Sequence, residues 1–102
     1  MSRTANKITI VCYDIASNRL RSKIDKCMKD LGTRIQFSVF LCRLDAEGVK
    51  RCRGRLMEVL EKFACEKEPE DSVIIFERLS FNSIDCLTGV KIESKVPKFL
   101  IL

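Results

Sequence analysis

The sequence contains no histidine, no Cys-x-x-Cys pair, no apolar run near the roughly 20 residues of a membrane span, and no internal repeat or low-complexity stretch. Without imidazole there is no histidine general base and no histidine-bearing zinc site, and structural zinc asks further for closely spaced thiolates. The six cysteines, Cys12, Cys27, Cys42, Cys52, Cys65 and Cys86, are scattered through apolar segments instead, and read as reduced core residues. The polar start from Met1 to Asn6 lacks the apolar centre of a signal peptide. The expectation is a cytoplasmic protein with no membrane partner.

What is present points to a packed protein. Of 102 residues, 46 % are hydrophobic and 32 % charged, enough for one core and too few residues for two, so a single domain over 1–102 is expected. Nineteen Lys and Arg against 14 Asp and Glu give a net charge of +5, which favours polyanionic partners and puts nucleic acid first among them.

The hydrophobic pattern changes period along the chain. Lys7 to Tyr13 (KITIVCY) is a β-branched apolar run ending at Asp14, the signature of a buried strand. From Ser17, a candidate N-cap, Leu20, Ile24, Cys27, Met28 and Leu31 recur at helical spacing with a basic outer side, and Gly32 offers a stop. Thr33 to Leu44 is too long for one strand and suggests two, reversing near Gln36 to Ser38 although no Gly or Pro marks the turn. Asp45 then caps a second helical pattern, Val49, Cys52, Leu56, Val59, Leu60 and Phe63, whose early turns carry Lys50, Arg51, Arg53 and Arg55. An acidic connector, Glu66 to Asp71, leads to a further strand at Ser72 to Leu79. This order fits an α+β fold, the ferredoxin-like βαββαβ arrangement with an antiparallel sheet and both helices on one face. The core is expected at 7–79. The extension 80–102 ends in Phe99 to Leu102 (FLIL), too short to stand alone, and is expected to add a short extra strand to a sheet edge, the partner's in a dimer.

Three pieces stand in fixed order: Tyr13-Asp14-Ile15 ending the first strand, Arg19-x-Arg21 opening the first helix, and Gly32-x-Arg34-x-Gln36-x-Ser38-Val39-Phe40 after it. Together they resemble the CRISPR-associated Cas2 family, small proteins of spacer acquisition in antiviral defence, over roughly residues 7 to 79. The resemblance implies a ferredoxin-like homodimer that binds DNA or RNA and partners the Cas1 integrase. It also implies an aspartate, here Asp14, that faces its symmetry mate and binds a divalent metal, Mg²⁺ or Mn²⁺, as the catalytic residue of an endonuclease. Tyr13, Arg19, Arg21, Arg34 and Phe40 are implied around the same cleft. Family members often follow the SVF triplet with glutamate where this chain has Leu41, which leaves fewer carboxylates near the site.

The residue types suit these roles. A strand-end carboxylate can hold Mg²⁺ while the ion keeps several waters, although the same residue elsewhere is a turn cap. Arginine forks fit phosphate oxygens better than lysine does, and Arg19, Arg21 and Arg34 cluster in sequence around Asp14, while Lys50, Arg51, Arg53 and Arg55 offer an accessory phosphate-contacting patch. Ser38 has no histidine partner and reads as a local hydrogen-bonding residue, and Tyr13 and Phe40 as core. Three functions compete: a metal-dependent endonuclease acting on RNA or double-stranded DNA, a non-catalytic scaffold gripping DNA between integrase subunits, and a generic ferredoxin-like RNA-binding module. The last lacks the aromatic base-stacking strand such modules present.

Overall fold

A computed structural model describes residues 7–92. Four strands and two helices follow one another as β1 (Lys7–Asp14), α1 (Asn18–Lys29), β2 (Thr33–Gln36), β3 (Val39–Cys42), α2 (Ala46–Lys62) and β4 (Ser72–Ser80), with short 3₁₀ turns at Ala64–Glu66 and Phe81–Ser83. The sheet order is β2-β3-β1-β4 and every neighbouring pair is antiparallel, which is the ferredoxin-like topology. Among the described residues no helix is long and apolar enough to cross a membrane.

Side chains of a strand alternate between faces, and β1 divides the molecule that way. Val11 and Tyr13 join Phe40 and Cys42 of β3 under the apolar stripes of the helices, Leu20, Ile24 and Met28 from α1 and Val49, Cys52 and Leu56 from α2. On the opposite face Ile8 and Leu41 form a second, smaller cluster with Ile10, Ile35 and Leu79, covered in part by Phe81, Ile84 and Ile92. Toward the other end of that face Ile74 and Phe76 remain nearly half exposed.

Local chemistry fixes the boundaries. Ser17 caps α1, its hydroxyl oxygen accepting from the Leu20 amide at 3.1 Å, and Asp45 caps α2 by accepting from Gly48 at 2.8 Å. The β2–β3 reversal at Phe37 and Ser38 needs no glycine because it is tied from outside. Arg34 Nη1 donates to the Phe37 carbonyl at 2.7 Å, and the Tyr13 amide donates to the Ser38 carbonyl at 3.1 Å. The expected β4 gains one residue, reaching Ser80.

The cysteines do not all belong to the core as expected. Cys27, Cys42 and Cys52 are buried, whereas Cys65 is exposed and Cys12 and Cys86 are half-buried. Cys65 falls in the 3₁₀ turn, where the chain has left the core-facing stripe of α2. No disulfide joins the cysteines among the described residues, and burial pushes the Cys42 thiol up to about 12 and Cys52 to about 11, so these two stay protonated and unreactive at neutral pH. The expected terminal strand, Phe99 to Leu102, lies outside the described residues.

Gly32 closes α1 by donating its amide to the Met28 carbonyl at 2.9 Å, and there the chain passes against β3. A Cβ at this position would lie 2.5 Å from Cys42 Sγ and 2.6 Å from the Leu41 carbonyl oxygen. Gly32→Ala is therefore expected to destabilise the protein by about 1–3 kcal/mol in urea unfolding, the range typical of overpacking, whereas a loss under about 0.5 kcal/mol would show that β3 yields freely.

Candidate functional site at the end of the first strand

The pleat that buries Tyr13 turns its neighbour Asp14 to the open face of the sheet, opposite Ser72 of β4. Asp14 is exposed, and its carboxylate has no hydrogen bond or ion pair among the described residues. It lines a cavity of about 370 Å³ together with Ala16 and the acidic connector Glu68, Pro69, Glu70 and Asp71. Asp71 is already engaged there: its two oxygens accept from the Ala16 amide at 3.0 Å and the Glu68 amide at 2.8 Å. Those two backbone bonds, Glu68 first, hold its carboxyl below the usual carboxylate range. Among the described residues no set of three or more acidic or thiol side chains is placed to cage a metal. The unencumbered Asp14 carboxylate fits an ion of the Mg²⁺ type, which keeps most of its waters, and does not fit a zinc-like cage.

On the helix side of the sheet, three of the expected residues meet around one that sequence patterns did not single out, Asp25 of α1. The Tyr13 hydroxyl donates to Asp25 Oδ1, and the Arg34 guanidinium lies 3.4 Å from Asp25 Oδ2. Arg34 also sits over the Phe40 ring at 5.0 Å, and the Tyr13 and Phe40 rings stack with centroids 6.3 Å apart. Arg21 stands beside this group. Its guanidinium donates to the Ile15 carbonyl at 2.7 Å and to Asn18, and lies over Phe37. Arg21 and Arg34 thus brace the loops flanking Asp14: Arg21 holds the β1–α1 turn and Arg34 the β2–β3 turn. Ser38 supplies its carbonyl to the Tyr13 amide and stands beside them.

Arg19 is elsewhere. It pairs with Glu66 at 3.4 Å and lies over Phe63, on the side where α1 meets the end of α2. Glu66 also accepts from the Ser17 hydroxyl at 2.8 Å, which anchors the start of α1. In the second basic cluster Arg53 pairs with Glu77 and Arg55 with Asp30, leaving Lys50 and Arg51 without an ion pair among the described residues. Asp25 and Glu66 could be found in the sequence only by pairing charges across elements, and Phe37 only by placing the Arg21 guanidinium over its ring. Nothing local marks them.

The fold and this arrangement define a ferredoxin-like α+β protein carrying an exposed strand-end aspartate beside an arginine-braced turn. A family model described as CRISPR associated protein Cas2 matches residues 7–83, and the chain belongs to that family. It is 32 % identical over 53 residues to a CRISPR-associated endoribonuclease Cas2 of Chloroflexus aurantiacus, a match covering 52 % of this chain and 57 % of that protein. The chain thus spans about half the length of the curated relatives it matches. A Streptococcus pyogenes Cas2 crystal structure is similar with a TM-score of 0.60 and 21 % identity, covering 78 % of this chain and 96 % of that one. A chain of a partial Cas6-RT-Cas1–Cas2 complex is similar with a TM-score of 0.68 and 18 % identity, covering 84 % and 96 %. At these identities the two structures attest the fold.

Tyr13 is the chain's single tyrosine and reports on the bracing network directly. Burial first, then the hydrogen bond to Asp25 and its charge, raise its phenol well above the ordinary value near 10. A raised phenol means that folding favours the neutral ring. The stabilisation is complete below pH ~10 and is lost as pH rises through the folded value. Tyrosinate absorbance of the native protein is therefore expected to lag the urea-unfolded chain and to appear together with alkaline unfolding. Asp25→Asn should shift the titration down while leaving it above the unfolded control, because burial is the larger cause. Native tyrosinate at the unfolded chain's pH would contradict the network.

Proposed function

We propose that the protein acts in CRISPR spacer acquisition as a homodimer that binds DNA or RNA and cleaves phosphodiesters with Mg²⁺ or Mn²⁺ held at Asp14. The observation that carries this reading is the position of Asp14 on the rim of an apolar sheet face that the described residues cover only in part. Ile74 and Phe76, 46 % and 47 % exposed, stand there with Ile10, Cys12 and Val39. An exposed apolar face marks an interface, and a two-fold axis through it makes the contact reciprocal. The same axis brings the two Asp14 carboxylates toward one cleft, where like charges repel and a divalent cation would offset them. A cation held there by Asp14 would supply an activated water and offset charge on the phosphate. The chain's own contribution is positional: Arg21 and Arg34 hold the two turns beside Asp14, and Tyr13 and Phe40 form the packed floor beneath them. The terminal Phe99 to Leu102 is proposed to complete the dimer by joining the partner's sheet edge.

One observation favours the alternative of a non-catalytic scaffold between Cas1 integrase subunits. Leu41 is fully buried against Ile8, so the position following the SVF triplet cannot hold a carboxylate without burying a charge, and Asp14 is joined only by the carboxylates of the acidic connector. The structurally similar chain from a Cas6-RT-Cas1–Cas2 complex supports Cas1 as the partner for either reading.

The two readings separate in one experiment on purified protein with single-stranded RNA and duplex DNA. Under the nuclease reading Asp14→Ala lowers Mg²⁺- or Mn²⁺-dependent cleavage at least about a hundredfold while light scattering still reports a dimer, and Phe76→Asp yields a monomer without activity. Wild-type cleavage by Asp14→Ala would sink the catalytic assignment. A dimer that binds duplex DNA yet cleaves neither substrate is the scaffold.

A further inference from the structure

At the end of the sheet away from Asp14 a second cavity, about 300 Å³, opens between the start of β1, the first turns of α2 and β4. A β-bulge builds it. The β1–β4 register steps from Ile8↔Leu79 to Ile10↔Phe76, so Glu77 and Arg78 together face Thr9, and all three line the cavity. Arg78 adopts φ 59°, the left-handed region that glycine occupies more cheaply, yet the position carries a guanidinium.

The cavity's polar lining is one-sided. Lys7, Lys50 and Arg78 have no ion pair among the described residues, whereas Glu77 is neutralised by Arg53 at 2.5 Å and the Asp45 carboxylate is engaged in capping α2. Thr9 is only 2 % exposed, and its hydroxyl has no hydrogen-bond partner among the described residues. Its oxygen is not sealed from solvent, so at the cavity wall it can meet a ligand oxygen. Ammonium and guanidinium groups donate only, so the ligand they converge on accepts only and carries negative charge. Donors arriving from β1, α2 and β4 at once match the several oxygens of a tetrahedral anion better than the two of a carboxylate.

We propose that this cavity holds a phosphate group, contacted by Lys7, Lys50, Arg78 and the Thr9 hydroxyl at the N-terminal end of α2. The proposal rests on the nucleic-acid reading above only for the source of the phosphate, a strand's phosphodiester or a free phosphate.

The test is amide NMR of the full chain with inorganic phosphate and, separately, a duplex DNA oligonucleotide. The Thr9 and Arg78 amides are expected to shift saturably with phosphate, and Arg78→Gly combined with Lys50→Ala to weaken that binding at least about tenfold. Glycine suits the positive φ, so the bulge should survive, and Asp14→Ala should bind phosphate as wild type does. Competition of phosphate by the oligonucleotide assigns the pocket to a strand; phosphate binding without competition assigns it to a free phosphate, and both support the site. Phosphate binding by a chain that binds no oligonucleotide leaves the pocket standing and removes the nucleic-acid reading. The proposal is overturned if neither probe moves the Thr9 and Arg78 amides, or if the double variant binds both probes as wild type does.

Discussion

The two-residue period of β1 is the constraint on which the other features depend, because β1 is a central strand and both faces of the sheet are defined by its alternation. Val11 and Tyr13 face the helices; Ile10, Cys12 and Asp14 face away from them. A slip of one residue would bury the Asp14 carboxylate under α1 and expose the Tyr13 ring, at a cost of several kcal/mol for the charge alone. The pairings of β1 with β3 and β4 hold the register, and the Tyr13 hydroxyl on Asp25 locks it from the helix side.

Tyr13 thereby links packing to chemistry. Its ring and that of Phe40 form part of the core, its hydroxyl and Arg34 share the Asp25 carboxylate, and Arg34 in turn holds the glycine-free turn at Phe37. Arginine is suited to this because one planar fork can serve a carboxylate, a carbonyl and an aromatic face together. The loops flanking Asp14 are in this way fixed by charged groups that are only partly exposed, where such contacts are screened less than at an open surface.

The element order, both N-caps and the apolar stripes were legible in the sequence because each rests on local periodicity or on a residue with one favoured job, such as Ser17 and Asp45. The β2–β3 reversal was legible in outline from length alone. Its mechanism was not, since Arg34 and the Ser38 carbonyl act across the fold. Cys65 misled for a related reason: an apolar neighbourhood in sequence does not say that a helix has already ended. The three arginines look alike in the motif, but Arg21 and Arg34 brace the turns beside Asp14 whereas Arg19 ties α1 to Glu66, a difference that only the packing of α1 against α2 creates. The bulge opposite Thr9 was illegible because no glycine announces it; Arg78 takes the left-handed conformation itself.

The central claim is that the open sheet face pairs with a second copy and sets two Asp14 carboxylates on one divalent ion. Mn²⁺ binding stoichiometry, followed by electron paramagnetic resonance on the full chain, tests this without reference to activity. One strongly bound ion per two chains is expected, lost both in Asp14→Ala and in monomeric Phe76→Asp. One ion per chain, retained when the face is disrupted, would contradict it.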